Sequence, residues 1–188
     1  MYTRKTELTK KHIQEALVRL LKEQEFERIT INQIVENAEI TRSTFYRYYE
    51  DKFELLAEIE DNILNKVRVE RRRIEAHYAS IDMLNIEAFK WIFVALEDDA
   101  ETIHALLSYN GPVSFEMKLK RELTKRFADF KGLKKESKVR NALIKEYMYA
   151  ILIQSLQYWS KHPNDIDEIA KTIRDVQLKG IRKAIHLD

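Results

Sequence analysis

Between positions 42 and 48 the chain reads Arg-Ser-Thr-Phe-Tyr-Arg-Tyr, and six of these seven side chains can donate hydrogen bonds. Arg42 can bond bidentately to the O6 and N7 atoms of guanine, and Ser43 and Thr44 can donate to bases or phosphates. Tyrosine hydroxyls, as at Tyr46 and Tyr48, and the free N–H groups of a helix N-terminus are common phosphate ligands. Phe45 and Tyr49 fall on the opposite, inner side at helical spacing. A seven-residue segment with one apolar edge and a polar, partly cationic front suits a helix laid in a DNA groove. It also suits a small amphipathic helix whose polar side faces water.

Two short helices are needed to hold that segment. Thr30 is a good N-cap, and Gln33 three residues later completes a capping box. Behind it Ile31, Ile34, Val35 and Ala38 recur at helical spacing, then Glu39 and Ile40 break the pattern and Thr41 offers a second N-cap. The pattern predicts a helix over 31–38 and another from Arg42 to about Tyr48, joined by a tight turn. This is a helix-turn-helix, whose second helix enters the major groove N-terminus first.

The stretch TINQIVENAEITRSTFYRYYEDK, with Leu55-Leu56 after it, closely resembles the DNA-binding signature of the tetracycline-repressor (TetR) family. The matching points are Ile40-Thr41, Thr44-Phe45-Tyr46, Tyr48-Tyr49 and Asp51-Lys52, covering about the first quarter of the chain. The resemblance implies phosphate contacts from Thr30, Thr44, Tyr48 and Lys52, base or mixed contacts from Arg42, Ser43 and Tyr46, and lesser contributions from Asn32 and Thr41. It also implies a pseudo-palindromic double-stranded operator, a homodimer, a small-molecule effector and a repressor. The family usually carries glycine in the turn, where this chain has Glu39. A positive φ at that position would cost a non-glycine residue about 1 kcal/mol or more.

Before this pair, Ile13, Ala16, Leu17, Leu20 and Leu21 make the stripe of a first helix over about 9–24, which Phe26 and Ile29 close against it. After it, Asp51 can cap a long helix from Lys52 to about Ala79, roughly 40 Å at 1.5 Å per residue. Leu55, Leu56, Ile59, Ile63, Leu64 and Val67 form its stripe, and the basic run Lys66, Arg68, Arg71, Arg72, Arg73 reads as a solvated face. The expected organisation is a head over 1–51 and a helical regulatory and dimerisation domain over 52–188. Further helices are expected over about 86–100, 101–109, 114–130, 137–162 and 166–186, punctuated at Gly111-Pro112, Lys131-Gly132 and Pro163-Asn164.

The last two of these carry the dimer expectation. The helix over 137–162 is apolar almost all round, which calls for more than one partner surface. With the final helix it would form an intersubunit four-helix bundle, through Ile151, Tyr158, Ile173 and Ile181. The resemblance places the seam here too, and a Gln-Tyr-Trp segment before Pro163 looks like the C-terminal pattern of one TetR subgroup. The aromatics of the second domain could line a cavity or simply pack its core. Where TetR-like proteins seat their effector, the residues would be Phe89, Phe93, Phe115, Phe127 and Tyr147.

Composition bounds the rest. Of 188 residues only 3 are Gly and 2 Pro, too few for the turns of β-sheets, while 45% hydrophobic and 34% charged residues suit an all-α fold. The net charge of +2 excludes a basic blanket over nucleic acid but not a local basic face. Without cysteine there is no disulfide, thiolate metal site or thiol nucleophile, which fits a cytoplasmic location. The N-terminus lacks the apolar core of a secretory signal, and no apolar run is long enough to cross a membrane. No phosphate-binding glycine loop, nucleophile elbow or H-E-x-x-H is present. A single E-x-x-H, Glu101 to His104, falls short of the two copies and extra glutamates of di-iron bundles. No cofactor, metal or catalytic residue is therefore expected. The alternative is a helical ligand-binding or metal-dependent enzyme whose head is purely structural.

Overall fold

The computed structural model describes residues 2–77, 86–127 and 137–176, and among these every regular element is helical. In order they are α1 (Tyr2–Glu23), a 3-10 turn (Phe26–Arg28), α2 (Ile31–Asn37), α3 (Arg42–Tyr46) and α4 (Lys52–His77). There follow α5 (Ile86–Ala95), a 3-10 turn (Glu97–Asp99), α6 (Ala100–Leu106), α7 (Val113–Phe127) and α8 (Lys138–Lys161). A 3-10 turn (Pro163–Asp165) then leads into α9 (Ile166–Val176). None of the described helices is long and apolar enough to cross a membrane.

The chain forms two compact units, with the divisions falling inside α4, α6 and α7: residues 1–63 with 102–116, and residues 64–101 with 117–188. The first unit is built on the α1 stripe. Ile13, Ala16, Leu17, Leu20 and Leu21 are buried, as are Phe26, Ile29, Ile34, Val35, Phe45, Tyr49, Leu55, Leu56 and Ile59. Helix α1 starts at Tyr2, a full turn and more before the apolar stripe that marks it in the sequence. The added residues include Arg4, Lys5, Glu7 and Leu8, good helix formers that extend a helix without needing a core.

Residues 102–116 contribute most of α6, the start of α7 and the loop between them to this unit. The Asn110 carbonyl accepts the Phe26 N–H at 3.2 Å, and Ser114 Oγ donates to the buried Glu60 carboxylate at 2.5 Å. The loop folds back over the end of α6, with the Gly111 N–H bonded to the Ser108 carbonyl. A Cβ at Gly111 would lie 2.2 Å from the Leu106 carbonyl oxygen, so only glycine fits this close approach.

In the second unit α9 packs on both α5 and α8. Its Ile169, Ala170 and Ile173 are buried while Asp167, Glu168 and Lys171 face out. Trp159 of α8 is fully buried against Phe93 of α5, with ring centroids 5.2 Å apart. The basic run of α4 is only in part the solvated face its composition suggested: Lys66, Arg72 and Arg73 are exposed, but Arg68 and Arg71 are half-buried. Arg68 and Arg71 reach the buried Glu122 carboxylate at 3.0 and 3.9 Å, and Arg73 stacks over Trp91. A carboxylate buried in apolar surroundings needs such cations, and an arginine pair supplies them.

Candidate nucleic-acid interface

Local chemistry sets the two short helices as the sequence implies. The Thr30 hydroxyl accepts the Gln33 N–H at 3.3 Å, and the Gln33 side chain accepts the Thr30 N–H at 2.9 Å, a complete capping box for α2. Helix α3 is capped by Thr41, whose hydroxyl accepts the Thr44 N–H at 3.2 Å. The Thr41 hydroxyl also bonds Ser43 Oγ at 2.9 Å and Thr44 Oγ1 at 3.0 Å, so three hydroxyls interlock at the N-terminus of α3. The regular helix ends at Tyr46, two residues short of expectation, and continues as turns to Tyr49, whose N–H bonds the Phe45 carbonyl.

The turn between them explains the odd residue at its centre. The Ile40 N–H bonds the Val35 carbonyl at 3.0 Å and the Glu39 N–H bonds the Glu36 carbonyl at 3.2 Å. These are the two bonds of a Schellman motif, which requires the residue after the C-cap to be left-handed. Glu39 adopts φ 53°, the one positive φ at a non-glycine residue among those described. The strain anticipated from the missing glycine is present.

Phe45 is fully buried and Tyr49 nearly so, their rings 5.8 Å apart. Arg42, Ser43, Tyr46 and Arg47 are exposed, and Thr44 and Tyr48 are half-buried. Thr30, Asn32 and Thr41 are exposed as well. Arg42 and Arg47 make no ion pair among the described residues. Arg47 was legible as an outward cation, but the resemblance assigns it no role.

Behind this front a polar network locks α3 to its neighbours. The Tyr49 hydroxyl lies 3.3 Å from Gln14 Nε2 and donates to Glu58 Oε1 at 3.4 Å. Glu58 also accepts from Gln14 at 3.0 Å and from Lys10 at 2.8 Å. Burial pushes the Tyr49 phenol far above its ordinary range, with the Glu58 carboxylate adding to the shift against the Gln14 amide. The hydroxyl therefore stays a donor at any physiological pH.

Lys52 sits unlike a free phosphate ligand. Its ammonium donates to the Phe26, Glu27 and Ile29 carbonyls at 2.8, 2.9 and 2.8 Å. Burial lowers its affinity for the proton, which the Glu27 carboxylate partly restores.

The residues expected to line an effector pocket fall in both units. Phe93 is buried against Trp159 in the second unit, Phe115 is fully buried in the first, and Tyr147 is 61% exposed. The side chains of Phe89 and Phe127 lie outside the described residues. Of the expected dimer residues, Ile151, Tyr158 and Ile173 line one open groove between α8 and α9, with Ile169 and Val176. Ile181 lies outside the described residues. No group of three or more His, Asp or Glu side chains that could hold a metal occurs among the described residues.

A family model described as "Bacterial regulatory proteins, tetR family" matches residues 13–59. Over 47 residues the chain is 40% identical to the uncharacterised HTH-type transcriptional regulator YxbF of Bacillus subtilis (strain 168). That match spans 25% of this chain and 12% of the relative's length. The solved structure of a TetR transcriptional regulator from Streptococcus agalactiae 2603V superposes with a TM-score of 0.57 at 21% identity, covering 93% of this chain and 96% of that one. The dihydroxyacetone kinase operon activator DhaS superposes at 0.50 with 19% identity, covering 93% and 97%. Residues 13–59 match the tetR family model by sequence, and the chain shares the fold of these two solved structures along most of its length.

Proposed function

We propose that the chain is a homodimeric transcriptional repressor that reads a pseudo-palindromic operator and is released from it by a small molecule. The observation that carries the DNA reading is α3 itself: Arg42, Ser43, Tyr46 and Arg47 stand exposed on a helix anchored by buried Phe45 and Tyr49. Arg42, Ser43 and Tyr46 read bases or bases and phosphates together. Thr30, Thr44 and Tyr48 contact phosphates, with Asn32 and Thr41 beside them. Two such heads on a twofold axis would occupy major grooves a whole number of helical turns apart, about 34 Å or a multiple.

The dimer reading rests on α8 and α9. Along α8, Leu143, Tyr147 and Tyr158 are large, apolar and roughly half exposed, and the open groove beside α9 is lined by Ile151, Ile169, Ile173 and Val176. A helix apolar on more sides than its own unit covers is suited to a second copy. The effector reading rests on the aromatic content of the second unit, where Phe93 and Trp159 form a buried pair. A ligand there that favours a head separation mismatched to the operator would compete with DNA through one equilibrium, and the coupling must be reciprocal. The repressor sign is part of the proposal: a dimer seated on an operator that overlaps a promoter would obstruct transcription until it is released.

The test is a gel-shift titration against competitor DNA. Arg42→Ala is expected to weaken operator binding about 5- to 150-fold, corresponding to about 1–3 kcal/mol, and to relax preference at one base position. Unchanged affinity would remove α3 from the interface and favour a helical enzyme or binding module with a structural head.

A further inference from the structure

The first unit contains a lysine whose surroundings differ from those of a phosphate ligand. An ammonium group has three N–H donors. Lys52, the first residue of α4, uses all three on the carbonyls of Phe26, Glu27 and Ile29, each within 2.9 Å. The same nitrogen lies 4.7 Å from the centre of the Phe26 ring and 5.5 Å from that of Phe53, and those two rings meet edge to face at 5.4 Å. Two aromatic faces and three carbonyls thus form a cage around one cation. To bond a phosphate with its full set of donors, Lys52 would have to release all three carbonyls, and the Ile29 carbonyl lies in a part-buried site where losing its donor is unfavourable.

We propose that Lys52 is a positioning residue for DNA recognition: a clip that fixes the start of α4 to the segment leading into α2, and so sets the pitch at which α3 is presented. The three acceptors bracket the 3-10 turn and end one residue before Thr30, the N-cap of α2. From that cap the chain runs through seven helical residues and the Schellman turn directly into α3. On the far side of α3, Tyr49 is tied to Glu58 of the same α4. Helix α4 therefore holds the α2–α3 pair at both ends, by Lys52 before it and by Glu58 after it. Opening the first of these lets the pair rotate about the second. The Phe26 N–H bond to Asn110 steadies the turn from its other side, so the carbonyls that Lys52 reads are themselves fixed.

The proposal rests on the DNA-binding reading, and the experiment separates their failures. The full chain would be titrated with a duplex it has itself enriched from a random pool and with a scrambled duplex of equal length, across a range of salt concentrations. Lys52→Met keeps the stem among the rings but removes the donors and the charge. A clip predicts a loss of about tenfold on the enriched duplex, little loss on the scrambled one, and a nearly unchanged salt slope. A phosphate ligand predicts equal loss on both and a slope smaller by about 0.9, which would overturn the proposal. Wild-type affinity on both duplexes would overturn it as well.

Amide hydrogen exchange on the free protein gives a reading that needs no DNA: α2 and the turn to Thr41 should exchange faster in Lys52→Met, and unchanged exchange would contradict a clip. If Lys52→Met does not fold, Lys52→Arg serves, since it keeps the charge but its planar fork cannot address three converging carbonyls. Loss of discrimination in Lys52→Arg supports the clip, and wild-type discrimination overturns it. A parent chain that enriches no duplex sinks the DNA reading alone, and exchange then decides the clip.

Discussion

Replacing Glu39 by glycine should stabilise the protein, and the size of the gain follows from the turn. Glu39 is held at φ 53° because the Ile40 and Glu39 N–H groups close a Schellman motif on Val35 and Glu36. For an L-residue the left-handed region costs about 1–2 kcal/mol, because Cβ crowds the following carbonyl. Glycine escapes that cost but brings a freer unfolded chain, which takes back about 0.4–1 kcal/mol. The net gain is about 0.5–1 kcal/mol, or about 1–4 °C in melting temperature for a chain of this length. The assay is thermal or urea unfolding followed by circular dichroism. Glu39→Ala removes the same carboxylate but keeps Cβ, so its midpoint should stay near that of the parent. A Glu39→Gly variant no more stable than the parent, or a Glu39→Ala variant equally stabilised, would refute the argument from backbone strain.

Other positions give outcomes of the opposite sign. Gly111→Ala should destabilise the first unit by more than 1 kcal/mol, because its Cβ would fall on the Leu106 carbonyl, and unfolding midpoints would show it. Thr30→Ala removes one half of the α2 capping box and should cost about 0.5–2 kcal/mol in the same assay. Ile151→Glu puts a charge into the α8–α9 groove, and sedimentation should then show monomers where the parent sediments as a dimer. A parent chain monomeric at micromolar concentration would remove the bundle from the account.

What could be read from the sequence was what depends on near neighbours. The Thr30–Gln33 capping box, the Thr41 cap, the Asp51 cap and the strain at Glu39 each involve residues within five positions of one another. Inward Phe45 and Tyr49 followed from periodicity alone. The features that escaped depend on docking at long range. Lys52 meets carbonyls 23 to 26 residues away, and Arg68 meets Glu122 across 54 positions. A basic run looks solvated until the acid it neutralises is known. Phe115 by type suited a core better than a pocket wall, and which core it fills, that of the first unit, came only with the fold. The same holds for the α6–α7 loop, whose Gly111-Pro112 pair marks a turn without saying which unit it joins.

The central claim, that α3 reads DNA for a twofold-symmetric regulator, is tested most directly by enrichment from a random duplex pool. The purified chain should enrich one inverted repeat whose half-site centres lie about 34 Å apart or a multiple of that. The Arg42→Ala chain should enrich the same repeat with one position per half-site relaxed. Enrichment of no sequence by the parent, or of the identical sequence with identical stringency by Arg42→Ala, would contradict the account.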